Sequence, residues 1–349
     1  MKSDEQMGFP KNKMIGQNSI AFGQPVAILT SASVVGKKEG QGPLAPLFDK
    51  VGTDDMFGAQ TWEEAESFLQ AQATSLCLEK AGLTSQEIRY IFAGDLLGQC
   101  IASSFGLAEF KRPLFGVYGA CSTSALSMSL GALTISGGAA DKVLCVTSSH
   151  FASAEKEFRF PLEYGNQRPL SATWTVTGSG AFLLGENNTE SKRALISGIT
   201  PGKIVDYGIK DAMNMGACMA PAAADVIFHH LKDFKRKPSY YDKIVTGDLG
   251  FVGKEILLQL LLEKGIDIEK QHTDCGIEIY DPLLQDTHSG GSGCGCAASV
   301  LSAYLLKKLE TKEWKRILFV PTGALLSKVS FNEGNSVPGI AHAMVLESP

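Results

Sequence analysis

The 349-residue chain is predicted to fold as two duplicated halves, each a mixed α/β unit, on three observations. Residues 91–97 (IFAGDLL) and 244–250 (IVTGDLG) are short apolar strands that both run into Gly-Asp-Leu. Residues 119–133 (GACSTSALSMSLGAL) and 293–306 (GCGCAASVLSAYLL) are both small-residue turns leading into helices, with Cys121 over Cys294. Each of those helices leads to a strand, KVLCVTSS at 142–149 and RILFVPTG at 316–323. The pairs occur in one order, which separate coincidences would not produce.

Taken along the chain, residues 1–18 are polar and read as a flexible tail. The first half then spans 19–190 and the second 191–349. An amphipathic helix is expected from Trp62 to Ala81, with Thr61 and Glu64 at capping-box spacing. The strand at 91–97, the Cys121 helix and the strand at 142–149 follow. SGAFLLGE (179–186) closes the first half, and AHAMVLES (341–348) is its counterpart in the second. The second half's amphipathic helix is expected to open at Pro221, a favoured first helical position, and to end before Pro238. His229 and His230 read as polar surface on it. The repeating unit is too long for a solenoid and fits a sheet covered by helices. Helices rich in Ala, Ser and Gly suit a layer squeezed between two sheets.

Composition narrows the function. Net charge is −5, hydrophobic residues make up 44% and charged residues 20%, within the globular range. The absence of a long basic run argues against nucleic acid as a partner and against a polybasic membrane anchor. The apolar run from Ile256 to Leu262 is far too short to span a bilayer. Eight cysteines without a disulfide-framework spacing read as reduced thiols in a soluble, cytoplasmic-type protein. A zinc site built from Cys275, Cys294 and Cys296 with His272 and His288 has none of the usual spacings, so no metal and no cofactor are expected.

The duplicated halves, the cysteine opening the buried helix, and Thr177-Gly178-Ser179-Gly180-Ala181 before a closing strand resemble the thiolase and ketoacyl-synthase superfamily. That resemblance implies a thiolase-like α/β fold, layered α-β-α-β-α. From about residue 20 onward the chain more narrowly resembles the stage V sporulation protein AD family. The matching segments include GPLAPLFD (42–49), YGACSTS (118–124), TSSHFASAEKEFRFPLEYGNQRP (147–169), MAPAAAD (219–225), GGSGCGC (290–296) and PTGALLS (321–327). The family resemblance implies non-catalytic binding of dipicolinic acid, pyridine-2,6-dicarboxylate, free or as its calcium chelate. It implies a part in dipicolinate uptake into the developing spore and release on germination. It also implies peripheral association with the spore inner membrane through membrane-embedded proteins of the same operon. The superfamily implies a homodimer.

The residues themselves support two readings. A cysteine at a helix N-terminus is expected to have a lowered pKa, as acyl transfer requires. Acyl transfer also needs a histidine or asparagine from the second half. At the matching turns this chain has Asp248 and Cys294 instead, so Cys121 reads as a vestigial nucleophile on the floor of a binding pocket. His150 and His342 are the histidines expected near it, and a Cys121–His342–Cys294 set would sustain the alternative, an acyltransferase or condensing enzyme acting on acyl-coenzyme A or acyl carrier. Arg159 and Arg168 are the expected bidentate partners of a dicarboxylate, with Lys203 a weaker one and Phe158 and Phe160 a flat slot. Asp95 is expected to hold its own turn through backbone N–H groups.

Overall fold

The structure, a computed structural model, describes residues 11–157, 167–188 and 192–349. In the first half, β1 (Lys13–Ile15) pairs with the long β2 (Ser19–Val35), and β3 (Lys50–Val51) pairs with the end of β2. Residues 13–15, expected to be loose, are therefore a strand. Helix α1 (Trp62–Ala81) follows, with Thr61 accepting from the Glu64 N–H and Gly82 in a left-handed C-cap. Then come β4 (Tyr90–Gly94), α2 (Ile101–Gly106), β5 (Leu114–Gly116), α3 (Thr123–Ser136), β6 (Lys142–Ser149), α4 (Phe151–Glu155), β7 (Trp174–Thr175) and β8 (Gly178–Gly185).

The second half repeats the plan. It contains β9 (Ala194–Thr200), α5 (Met215–Asp233), β10 (Lys243–Thr246), α6 (Gly250–Leu262), β11 (His272–Asp274), α7 (Cys275–Glu278), β12 (Gly291–Ser292) and α8 (Cys294–Val300). A π turn at Leu301–Leu305 carries α8 into α9 (Leu306–Glu310), followed by β13 (Arg316–Val320), β14 (Thr322–Ala324), β15 (Gly339–Ala341) and β16 (Ala343–Glu347). Helix α5 starts six residues earlier than Pro221 predicts. Asn214 is its N-cap, accepting from the Ala217 N–H, and Pro221 sits inside the helix. His230, expected on the polar surface, does not face solvent either. It is fully buried, with Nδ1 2.7 Å from Thr200 Oγ1 and Nε2 2.5 Å from the Tyr241 hydroxyl, and burial lowers its pKa to about 3.

The main sheet runs β11-β10-β13-β16-β9-β2-β8-β6-β4-β5, a palindrome about the β9–β2 junction. In each half two parallel pairings are followed by antiparallel ones, so β2 matches β9, β4 matches β10, β6 matches β13 and β8 matches β16. The halves share hydrogen bonds between β2 and β9, which joins two five-stranded units edge to edge.

Side-chain alternation along these strands separates three cores. Val143 and Cys145 of β6, Phe182 and Leu184 of β8, Ile317 and Phe319 of β13, and Met344 and Leu346 of β16 join α3, α8 and α9 in a central core. Leu144, Val146, Ala181 and Leu183 face α1 on one outer side, while Leu318, Val320, Ala343 and Val345 face α5 and α6 on the other. Helix, sheet, helix, sheet, helix is the layering that three such cores require. The middle layer is tight: a Cβ on Gly180 would lie 2.7 Å from Ala298 Cβ, and one on Gly131 would lie 2.8 Å from Cys145 Sγ.

Candidate functional site

The duplicated turns meet where the two halves face each other. Leu96, Tyr118, Ala120 and Cys121 come from the first half, with Ala154 and Glu157 at α4 and Thr175 of β7. Met215, Ser292, Gly293, Ala324 and Leu326 come from the second. Together they line a narrow cleft with a cavity volume of only about 40 Å³. Strands β7 and β12 pair in parallel across the halves, which sets Thr175 beside Ser292. Ala120 carries a φ of +49°, a strained conformation for a residue with a Cβ, and it presents Cys121 just before the Ser122 cap of α3. Gly323 backs this turn, since a Cβ there would sit 2.5 Å from the Gly119 carbonyl oxygen.

Asp248 is the group that decides the chemistry. It is fully buried, accepting from the Gly293 N–H (2.9 Å) and the Thr322 hydroxyl (2.7 Å), and its charge acts on the nearby Cys121 thiol. Burial raises its carboxyl from 3.8 to about 7. The same burial, and then the neighbouring carboxylate, push the Cys121 thiol well above its ordinary range. The lowered pKa expected from the helix end is thus reversed: desolvation and a like charge outweigh a partial dipole. Cys294 is equally unsuited to ionise, being buried with its Sγ 2.8 Å from the Ser148 carbonyl oxygen.

Behind Cys294 lies a polar network that the sequence did not reveal. Glu66 accepts from Ser148 Oγ (2.8 Å) and Ser153 Oγ (2.6 Å), and Gln70 bridges Ser148 to Ser103. Asp95 accepts from the N–H groups of Leu97 and Ser103, both at 2.9 Å, and so holds its turn. Burial raises the carboxyls of both Glu66 and Asp95, and each disfavours the other's ionisation. The hint available in sequence was the serine density of 147–153 facing a glutamate on α1.

The remaining candidates lie elsewhere. His150 caps α4 through Nδ1, places Nε2 2.7 Å from the Asp55 carbonyl oxygen and packs on Trp62. His342 accepts the Gly202 N–H at Nδ1, its Nε2 is buried with no partner among the described residues, and burial lowers its pKa to about 4. Neither lines the cleft. Arg168 is turned to Asp286 (3.0 Å) and lies over the Trp174 ring, and Lys203 pairs with Asp225. Arg159, Phe158 and Phe160 fall outside the described residues. The cationic ends expected for a dicarboxylate are therefore absent from the cleft among the described residues, and of its lining only Cys121 was expected; Tyr118, Glu157, Ser292, Gly293 and Leu326 are among those missed. Among those residues, no group of three or more His, Cys, Asp or Glu is placed to hold a metal ion.

The profile of Stage V sporulation protein AD matches residues 16–347. Stage V sporulation protein AD of Bacillus subtilis (strain 168) is 40% identical over 335 residues, covering 96% of this chain and 98% of that protein. The chain belongs to the stage V sporulation protein AD family. Solved structures extend the likeness at the level of fold. 3-Oxoacyl-[acyl-carrier-protein] synthase III from Aquifex aeolicus VF5 superposes with a TM-score of 0.55 at 15% identity, over 92% of this chain and 99% of that one. Human mitochondrial 3-ketoacyl-CoA thiolase does so with a TM-score of 0.56 at 12% identity, over 93% and 99%. This member of the sporulation family has a thiolase-like fold, as the duplicated segments imply. Among its described residues, no helix is long and apolar enough to cross a membrane.

Proposed function

We propose that this sporulation-family protein is a non-catalytic binding protein for dipicolinic acid, taken up with or without calcium. In this reading it serves dipicolinate movement into the developing spore and out on germination. It does so at the spore inner membrane, with membrane-embedded proteins of its operon. The observation that carries the non-catalytic part is the buried Asp248 carboxyl held on Gly293, which lines the cleft beside Cys121. A carboxylate in that position opposes both a thiolate and a developing oxyanion. The cleft offers a flat aromatic acid the Tyr118 ring and the apolar walls Leu96 and Leu326, with Asp248 buried behind its floor.

Calorimetric titration with dipicolinate, with and without calcium, tests this. Saturable binding is expected, weakened about tenfold by Tyr118→Ala, which removes one stacking surface from a half-exposed position. No saturable binding, or binding indifferent to both Tyr118→Ala and Asp248→Asn, refutes it. The acyl-transfer reading rests on the shared fold and the retained Cys121. A Cys121 adduct in mass spectrometry after incubation with acyl-coenzyme A would favour that reading instead. A homodimer through edge strand β5 is part of the proposal, because Phe115 there and Tyr118 just beyond it are about half exposed. Sedimentation equilibrium reads this directly: a monomer at micromolar concentration contradicts it, and Phe115→Glu should dissociate a dimer.

A further inference from the structure

Two segments far apart in sequence bring five cations to one groove on the outer face of the second half. Lys232, Arg236 and Lys237 come from the end of α5 and the turn after it, and Lys264 and Lys270 from the segment following α6. Phe228 and Ile266 form its apolar floor, and Asp267 is the one carboxylate in its lining. The Asp267 carboxylate accepts the Glu269 N–H at 3.0 Å, within its own turn. Among the described residues, none of the five cations forms an ion pair.

The arrangement is more than a solvated face. The ammonium groups of Lys232 and Lys264 share one ring, at 6.0 and 5.2 Å from the Phe228 centroid. Arg236 is fixed: its Nη1 donates to the Tyr241 hydroxyl at 2.8 Å, and its guanidinium lies 4.2 Å from the Tyr240 ring centroid and 4.6 Å from that of Phe234. Cations near helix C-termini complement the helix dipole, which accounts for Lys232 and Lys264. It does not account for Lys237 and Lys270, which lie beyond the helix ends, or for a guanidinium immobilised on aromatic rings. In a chain of net charge −5, an uncompensated cluster of this kind repels itself and is relieved by an anion.

We infer that this groove binds a phosphate ester. The fixed arginine fork supplies two parallel N–H donors to a phosphate, and the lysines neutralise its remaining charge. The same chemistry is offered by a soluble phosphate compound and by the headgroup of an anionic lipid. Two assays on the full chain separate them: calorimetry with inorganic pyrophosphate, and co-sedimentation with vesicles of phosphatidylglycerol and phosphatidylcholine against phosphatidylcholine alone. Saturable binding in at least one assay is expected, weakening as salt rises because these charges are exposed. Binding only to the phosphatidylglycerol vesicles assigns the groove to a lipid headgroup, and binding of pyrophosphate assigns it to a soluble ligand.

The combined variant Lys232→Glu, Lys264→Glu and Lys270→Glu alters only solvent-facing side chains and should weaken binding at least tenfold while leaving dipicolinate titration unchanged. Arg236→Lys, which keeps the charge and loses the fork, should weaken pyrophosphate binding by a smaller factor. Absence of binding in both assays, or a triple variant that binds as tightly as the parent, overturns the inference. Because dipicolinate is titrated separately, that failure would leave the Cys121 cleft untouched.

Discussion

Dipicolinate affinity should fall as the pH rises from 7 to 9, and Asp248→Asn should flatten that slope. Burial raises the Asp248 carboxyl from 3.8 to about 7, so it is neutral below that pH and charged above it. A pyridine dicarboxylate is a dianion throughout this range. With Asp248 neutral behind the cleft floor the dianion meets no opposing charge there; with Asp248 ionised it faces a like charge through a medium of low dielectric. Bound ligand therefore raises the carboxyl's proton affinity further, and binding above pH 7 must take up a proton. One linked proton limits the slope to about tenfold per pH unit, or roughly 100-fold between pH 7 and 9. Below about pH 6 the carboxyl is already protonated in the free protein and the affinity should level off.

Asparagine is neutral at every pH. Its oxygen can accept the Gly293 N–H, and its amide can face Thr322 Oγ1, so the cleft should keep its shape. Calorimetry at several pH values compares the two proteins, and equal slopes would remove Asp248 from the binding event. A reading that needs no ligand comes from Cys121. Its thiol is held neutral by burial and then by Asp248, so its alkylation by iodoacetamide should be slow and should quicken in Asp248→Asn.

The duplicated architecture was legible because its signals are local. The strands at 142–149 and 179–186, helix Trp62–Ala81 and the small-residue helices after Cys121 and Cys294 each announce themselves by alternation, caps or composition. The junction strands β2 and β9 do not. Strand β2 contains Phe22-Gly23-Gln24-Pro25, which reads as a turn, and its register to β9 shifts between Ala21 and Val26. Pro221 misled for a related reason. A proline signal outweighed Asn214, yet α5 tolerates the ring because packing against its neighbours holds the helix.

The candidate site was legible in its backbone and not in its side chains. The repeat located Cys121, Asp248 and Cys294, all on turns between strand and helix. His150, His342 and Arg168 were drawn to the cleft by chemistry alone, and tertiary hydrogen bonds occupy each of them elsewhere. The pKa of Cys121 could not be read from sequence either. The helix end is a local feature, whereas burial and the Asp248 carboxylate come from a chain segment more than a hundred residues away.

Gly295→Ala should be a strongly damaging single-methyl change in the chain's middle layer, and it connects this packing to the cleft. A Cβ at Gly295 would lie 2.2 Å from the Gly178 carbonyl oxygen and 2.7 and 2.8 Å from Ser149 Oγ and N. The Gly178 oxygen and the Ser149 nitrogen are backbone atoms of β8 and β6, so rotating the Ser149 hydroxyl aside would not make room. Helix α8 must withdraw, losing the bond from the Gly295 N–H to Ser149 Oγ (3.1 Å). Overpacking costs about 1–3 kcal/mol and the lost hydrogen bond about 1 more, which together lower the melting temperature of a 349-residue chain by roughly 3–6 °C. Gly98→Ala is the control, since nothing lies within 4 Å of its Cβ position, and it should stay within about 0.5 kcal/mol of the parent. Gly293 precedes α8 at a φ of +102° and donates its N–H to Asp248. Withdrawal of the helix therefore also strips a donor from the carboxyl, raises its pKa further and moves the cleft wall. Thermal denaturation followed by circular dichroism checks the stability effect, and a variant melting within a degree or so of the parent would show that the middle layer has slack. If the layer is as tight as these distances make it, the glycines of GGSGCGC are what allow two sheets to close on one thiol.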